Sequence, residues 1–553
     1  MAVADLVLFN GKICTLDPLF RFYEAVAVKD GYIIDLGSTS DMRRHIGKKT
    51  EVVDLMGKLL LPGAHDEHCH AAYAGLYWRP GFVDTYGFTS FSQFEQAIKN
   101  AVSTTKNGEW IMGGGMNRSL AGKPLTRHDI DSLSPNHPVM INDSGLHGLL
   151  LNSYALKLCG IDRHTPDIDP NIGKIERDES GEPTGFFVDF AAQSAVMKNV
   201  APFMDEEMES CILRAQAALN CAGITTHTDI AGPGGDHLFC GTWGMPAVEA
   251  YARLLEKGKL TARCAFNIFP GLEGVQSYDA ITGGLDALKL PDLGDGTWLR
   301  ADALKFFGDL GWRRPEEARA GRLGHCTFSG VDEEAQAAHL TRTIIEAHRR
   351  NWQIGIHLTG GKGIDYTIAA FIKAQQEYPG PLKRHFIIHA DEMSAENIAD
   401  CAKHGIMLST QAIAPYSFME EVVDALRDGL GEDLFDYKTY LQAGIFVSQG
   451  SDAPTMPHTW LKGLQFMLTR TTKSGATFRK DLKCTIEQGL RMYTLHGAYQ
   501  NHMERLTGSV EIGKLADFQV LEEDVFKTNP AEVGDIPVVM TVVGGNIVYD
   551  QFR

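Results

Sequence analysis

The two ends of the chain alternate between apolar and polar positions, as half-buried β-strands do. Near the start, residues 25–37 place Asp30-Gly31 between two apolar stretches, and near the end residues 538–550 do the same around Gly544-Gly545. Both patterns predict hairpins, because Asp-Gly and Gly-Gly pairs suit tight turns. Neither end is long enough to bury a core of its own. We therefore expect residues 1–60 and 500–553 to fold together as one small β-sandwich.

The middle of the chain, residues 61–499, alternates short apolar strands with helical patterns, such as Asp332–Arg350 and Asp365–Glu377. Asp332 is the predicted N-cap of the first of these helices. The candidate strands are Leu59–Ala64, Gly223–Asp229, Thr261–Phe269, Asp302–Phe307, Gln353–Leu358, Arg384–His389, Gly405–Thr410 and Ile445–Ser451. Eight parallel strands that alternate with helices make a (β/α)₈ TIM barrel, so the pattern predicts this α/β fold. The long gap after the first strand predicts an inserted subdomain over residues 75–220.

Composition narrows the class of protein. The 553 residues are 44% hydrophobic and 22% charged, without the run of about 18–20 apolar residues that a membrane span needs. The first residues lack the features of a secretory signal, and the ten cysteines form no CxxC pair. We therefore expect a cytoplasmic protein with reduced thiols.

The balance of charge bears on partners. The chain carries 52 basic and 70 acidic residues and a net charge of −18. This excess disfavours nucleic acid and anionic membranes, although it also fits ordinary solubility. We expect a small-molecule substrate and a homo-oligomer, specifically a dimer.

The candidate chemistry begins at the end of the first predicted barrel strand. His68 and His70 are two residues apart, so both imidazoles face one side of an extended chain and can bind one metal ion. Metal-compatible side chains also stand at the ends of later strands: Lys305, His357, His389 and Asp452. Each has a structural alternative, such as a histidine that closes the barrel, a lysine that extends to solvent or an aspartate that caps a helix. Together, on strands one, four, five, six and eight, they indicate a metal centre at the catalytic face of the barrel.

The sequence resembles the amidohydrolase superfamily, within it amidohydrolase family 3, which contains YtcJ-like proteins and N-substituted formamide deformylase. The resemblance covers nearly the whole chain. It rests on Asn10-Gly-Lys, Leu61-Pro-Gly, Asp66-x-His68-x-His70, Asp143-x-x-x-His147, Asn152-Ser-x-Ala-Leu, Gly181-Glu-Pro-Thr-Gly185, Gly223-Ile-Thr-Thr, Lys305-Phe-Phe-x-Asp309, Ser451-Asp452-Ala-Pro454 and Gly513-Lys-Leu-Ala-Asp517.

The resemblance implies a role for each candidate ligand. His68, His70 and Asp452 would bind the more buried of two divalent metal ions, and His357 and His389 the second. Lys305 would bridge both ions as a carbamate formed with CO₂, because an ammonium group cannot be a ligand. Zinc is the expected metal, with iron, manganese and cobalt left open.

The expected reaction is hydrolysis of a non-peptide C–N bond, such as an amide or formamide, by metal-activated water. Asp452 would accept the proton of the attacking water and return it to the departing nitrogen. His147 and His227 are candidates for a donor to the oxyanion or for substrate positioning, and each has the alternative of a packed structural histidine.

Two departures from the family pattern matter. Gly361 stands where the branch usually has an aspartate after strand five, and Trp312, Arg313 and Arg314 replace small residues after Asp309. The arginines either pair with a substrate carboxylate or are solvated.

Two other functions remain possible at this stage. A mononuclear deaminase would lack the strand-four lysine and carry a glutamate at position 360, where this chain has Gly360. A barrel scaffold without metals would not need the complete ligand set that this chain has.

Overall fold

The computed structural model describes residues 2–168, 173–200, 203–232, 243–271, 275–310, 328, 330, 332–426 and 434–551. Trp312, Arg313 and Arg314 lie outside these ranges. None of the described helices is both long and apolar enough to cross a bilayer.

The amino-terminal segment is built mainly of strands. They are β1 (Leu6–Phe9), β2 (Lys12–Cys14), β3 (Phe22–Tyr23), β4 (Ala25–Lys29), β5 (Tyr32–Gly37), β6 (Glu51–Asp54) and β7 (Leu59–Pro62), with helix α1 (Thr39–Met42) and a 3₁₀ turn (Arg43–His45). The first barrel strand is β8 (Ala64–Asp66).

An insertion with its own sheet follows β8. Its elements are α2 (Ala71–Tyr77), β9 (Val83–Asp84), α3 (Phe91–Thr104), β10 (Ile111–Met116), α4 (Arg127–Asp131), β11 (Val139–Asp143), β12 (Gly148–Leu151), α5 (Ser153–Leu158), β13 (Lys174–Arg177), β14 (Pro183–Val188), α6 (Asp189–Met197) and α7 (Asp205–Cys221). The described strands pair in the order β13-β14-β12-β11-β10-β9.

The rest of the barrel alternates strands and helices. In chain order these are β15 (Ile224–Ala231), α8 (Met245–Glu256), β16 (Arg263–Ile268), α9 (Tyr278–Ala287), β17 (Leu299–Phe307), α10 (Glu333–Arg349), β18 (Gln353–Leu358), α11 (Gly361–Glu377), β19 (Phe386–His389), α12 (Ala395–His404), β20 (Met407–Thr410), α13 (Ile413–Leu426), α14 (Tyr437–Gln442) and β21 (Val447–Gln449).

After the barrel the chain forms helices and then three strands. The elements after the barrel are α15 (Trp460–Thr469), a 3₁₀ turn (Lys480–Leu482), α16 (Ile486–Met492), α17 (Leu495–Gln500), β22 (Phe518–Leu521), a 3₁₀ turn (Val533–Asp535), β23 (Val538–Val543) and β24 (Asn546–Asp550).

Strands from both ends of the chain share one sheet. Among the described residues, the two terminal sheets run β5-β4-β1-β6 and β24-β23-β22-β7-β2-β3. Strand β7 pairs with β22 in antiparallel register, Leu60 opposite Val520. Both predicted hairpins are present, with Lys29 opposite Tyr32 and Val543 opposite Asn546.

The TIM barrel prediction is confirmed. Within the described residues, one eight-stranded sheet runs β21-β20-β19-β18-β17-β16-β15-β8, and its neighbours pair in parallel. The first and last strands approach where Glu67 N donates to Gln449 O at 3.0 Å. Helix α10 also begins as predicted, because the Asp332 side chain accepts a hydrogen bond from Ala335 N at 2.8 Å.

The prediction that Leu59–Ala64 is the first barrel strand is wrong. Leu59–Pro62 belongs to the terminal sheet that also contains β22, and the barrel strand begins only at Ala64. The chain changes sheet at Gly63, whose N–H donates to Asp517 O at 2.9 Å. A Cβ at position 63 would lie 2.1 Å from Thr225 Oγ1, so only glycine allows this crossing.

Candidate metal centre

Two imidazoles and a carboxylate meet at the carboxyl ends of the first and last barrel strands. Asp452 Oδ1 lies 3.2 Å from His68 Nε2 and 3.4 Å from His70 Nε2. These ligand-type atoms all lie within 4.8 Å of one another. Ligand atoms around one tetrahedral zinc ion are about 3.3 Å apart, given zinc-ligand distances of about 2.0–2.2 Å. The spacing therefore fits a metal ion.

The loop that carries Asp452 is tied to the first strand. Asp66 accepts hydrogen bonds from Ser451 N at 2.8 Å and Ser451 Oγ at 2.6 Å, and Asp452 N donates to His68 O at 2.7 Å. Asp452 has a left-handed backbone, with φ of 60°. Such conformations persist where the surroundings fix them, as these bonds do, and they are frequent at functional sites. The aspartate of the Asp-x-His-x-His motif thus positions the carboxylate of another strand.

His357 and His389 form a second pair on neighbouring strands. His389 Nε2 lies 2.9 Å from His357 Nδ1. The outer nitrogens have other partners, because Asp309 Oδ2 lies 3.0 Å from His357 Nε2 and Gln411 Oε1 lies 2.7 Å from His389 Nδ1. When the outer nitrogens donate, the facing nitrogens both carry lone pairs. Two lone pairs at this distance repel each other unless a cation binds to them. A metal ion would be such a cation.

The pKa values of the histidines also suit ligation. Burial, helped by the Lys305 charge, lowers the pKa of His68 to about 3. Burial likewise lowers the pKa of His357 and takes that of His389 well below the usual value. Neutral imidazoles are the form that binds metals.

Lys305 lies in β17 beside these histidines. Its side chain is 1% exposed, and its Nζ lies 4.8 Å from the centre of the Phe307 ring. Its charge contributes to the lowered pKa values of His68, His357 and His389. The lysine therefore lies within electrostatic reach of both halves of the site.

His147 reaches the same cavity from the insertion. The cavity is about 840 Å³ and is lined by all six predicted ligands and by His147. The His147 ring lies 6.0 Å from that of His357, centre to centre, and its Nδ1 lies 2.9 Å from Asp189 Oδ1. Burial alone would lower the pKa of His147, but this bond and the Asp189 charge raise it.

His227 does not line the cavity. It lies on β15 with its side chain against helix α8, where its Nε2 is 3.0 Å from the Tyr251 hydroxyl. That hydroxyl also donates to Asp229 Oδ2 at 3.0 Å. Burial lowers the pKa of His227 to about 3. Of the two interpretations of His227, this placement favours the packed structural histidine.

Sequence reasoning missed several residues that hold the site together. Asp309 and Gln411 orient the second histidine pair, and Asp189 holds His147. Asp309 belongs to the Lys305-Phe-Phe-x-Asp309 motif, so the sequence does contain a signal for its role. Asp189 is 42 residues from His147, so no local pattern identifies it.

The glycine at position 361 opens helix α11. Its N–H donates to Glu392 Oε2 at 2.6 Å, while Thr359 N and Gly360 N donate to Asp309 Oδ1 at 2.8 and 3.2 Å. Carboxylates from two other loops therefore accept hydrogen bonds from the N–H groups at this helix end.

Comparison with known proteins shows the family and the fold of the chain. Residues 51–549 match the model of the amidohydrolase family. The chain is 29% identical to the putative amidohydrolase YtcJ of Bacillus subtilis, with 96% of each protein covered. It is 25% identical to the N-substituted formamide deformylase of Arthrobacter pascens, over 99% of this chain and 98% of the relative. An uncharacterized metal-dependent hydrolase from Pyrococcus horikoshii shares the fold, with a TM-score of 0.70 and 20% identity over 95% of this chain and 99% of that one.

Proposed function

We propose that this chain, which belongs to the amidohydrolase family, hydrolyses an amide or formamide bond of a small molecule. The observation that carries the proposal is the meeting of His68, His70 and Asp452 at metal-ligand spacing beside the His357–His389 pair. The fold and the family support a metal-dependent hydrolase of carbon-nitrogen bonds. That the bond is an amide or a formamide is the further part of this proposal.

The residues present fit two divalent ions. His68, His70 and Asp452 would hold one ion, and His357 and His389 the other. Zinc is our first choice because imidazole and carboxylate ligands suit it. When bound, such ions lower the pKa of a coordinated water and polarise a carbonyl group.

Lys305 is the proposed bridge between the two halves of the site. A buried ammonium beside ion-binding histidines is unfavourable, whereas a carbamate formed from its amine and CO₂ is an anion with two oxygens. Its electrostatic effect on histidines of both halves supports this position.

Asp452 is the proposed proton carrier. Burial alone would raise its pKa, but hydrogen bonds from His68 and His70 outweigh burial and hold the pKa well below the usual value. At neutral pH Asp452 is therefore an ionised carboxylate, the form that can be a metal ligand and can accept a proton from the attacking water. It then gives this proton to the departing nitrogen.

His147 is the proposed contact to the substrate amide. It comes from the insertion and faces the same cavity as the ligands. A polar group at this place can stabilise charge that develops on the carbonyl oxygen.

Formamides are the first substrates to test, because one relative is an N-substituted formamide deformylase. Metal-replete enzyme should release amine from N-formyl or N-acyl amines, at a rate that falls with chelation. Ammonia from a heterocycle, with about one metal ion per chain, would instead support the deaminase. Folded, metal-replete protein that acts on neither class would contradict the proposal.

A further inference from the structure

His147 and Asp189 occupy facing positions on two paired strands of the insertion. Strands β12 and β14 are antiparallel, and their last pair is Gly148 with Val188. His147 and Asp189 are therefore the next cross-strand neighbours. They are joined twice, because Asp189 N donates to His147 O at 2.8 Å and Asp189 Oδ1 lies 2.9 Å from His147 Nδ1.

Two further hydrogen bonds hold the chain that leads into His147. Ser144 N donates to Met116 O at 3.1 Å, and Gln193 Nε2 donates to Leu146 O at 3.0 Å. Asp189 itself has a left-handed backbone, with φ of 62°. A non-glycine residue keeps this conformation where its surroundings require it, and functional sites are where this is most often seen.

The pair is directed at the metal centre. His147 lines the cavity, and its ring is 6.0 Å from that of the proposed ligand His357. Because Asp189 accepts from Nδ1–H, it fixes the tautomer and the angle of the ring. Nε2 is then the nitrogen on the side away from Asp189.

We propose that Asp189 is a positioning residue, which holds the His147 ring so that Nε2 meets the amide group of the substrate. The inference rests on the proposed function and adds a residue to it. Carboxylates that orient a histidine act in this way in many catalytic sites, through geometry and tautomer. Asp189 itself need not touch the substrate.

The test is a double-mutant cycle on metal-replete enzyme with an N-formyl amine. Asp189→Ala should lower kcat/KM by about 10- to 100-fold, with unchanged metal content. In a His147→Ala background the same change should cost no more than about 2-fold, because its effect passes through His147. Asp189→Asn should retain more activity than Asp189→Ala, since asparagine keeps an oxygen acceptor and tolerates the left-handed backbone.

The matched control is Asp131→Ala. Asp131 holds Ser153 of the same insertion by bonds of 2.7 and 2.8 Å, and it does not line the cavity. Its loss should lower the unfolding midpoint and leave kcat/KM unchanged. Wild-type activity in Asp189→Ala, or additive losses in the double mutant, would overturn the positioning role alone. A wild-type enzyme that is inactive on every amide would overturn the proposed function and this inference with it.

Discussion

His389 Nε2 and His357 Nδ1 face each other at 2.9 Å, each ring held from behind by an acceptor on a different loop. For His357 this acceptor is Asp309, which also binds the backbone N–H groups of Thr359 and Gly360. When both outer nitrogens donate to these acceptors, the two facing nitrogens are left as acceptors. The second half of the proposed metal centre would therefore depend on a carboxylate outside the proposed ligand set.

Asp309→Asn should therefore weaken metal binding. The amide is a poorer acceptor for His357 Nε2–H, and loss of such partners typically costs about 10- to 100-fold in metal affinity. Competition with a chelator measures this change. The control is Asp302→Asn on β17, whose partially exposed carboxylate pairs with Arg300. Equal metal retention in both variants would show that Asp309 does not support the site.

Lys305→Ala should lose metal and activity. A short carboxylic acid added to this variant should restore part of the activity, because it supplies an anion in the vacated space. Lys362→Ala removes a surface lysine paired with Glu333 and should change neither property. Wild-type metal content in Lys305→Ala would argue against the bridging carbamate.

Asp452→Asn should separate proton transfer from metal binding. Asparagine tolerates the left-handed backbone at this position and keeps a weak ligand oxygen. It cannot accept the proton, so kcat should fall by about 10²–10⁴ while most of the metal remains. Single-turnover kinetics with metal analysis measure both. A variant that turns over at the wild-type rate would assign the proton transfer to another group.

A buried histidine pair away from the proposed metal centre predicts loss of stability in acid. His385 Nδ1 accepts from Ile354 N at 3.1 Å, and its Nε2 lies 2.8 Å from His348 Nδ1. Burial, with the neighbouring His348, holds the pKa of His385 well below the usual 6.5. Below about pH 6.5 the unfolded chain therefore binds a proton at His385, whereas the folded chain does not. The contribution of neutral His385 to stability is complete above this pH and falls below it.

His385→Asn tests this expectation, because asparagine can still accept from Ile354 N but does not titrate. Thermal unfolding midpoints between pH 8 and pH 5 should fall less steeply in the variant than in the wild type. Parallel curves would exclude His385 as a source of the acid dependence.

The candidate ligands could be named from the sequence, whereas the residues that hold them in place could not. The spacing of His68 and His70 and the placement of His357 and His389 at strand ends are local patterns, because strand geometry repeats every two residues. Asp189 depends on the pairing of β12 with β14, which no local pattern reveals. Within the barrel, the placement of His227 could not be predicted for a related reason, since the face of a strand that looks inward depends on its register.

The most direct test of the central claim is metal content together with amine release, measured on protein purified without chelator. We expect about two divalent ions per chain in the wild type. The variant His68→Ala/His70→Ala should keep the far-ultraviolet circular dichroism spectrum of the wild type. It should lose its bound metal and should no longer release amine from N-formyl or N-acyl amines. Full metal content and full activity in that folded variant would contradict the assignment of the metal centre.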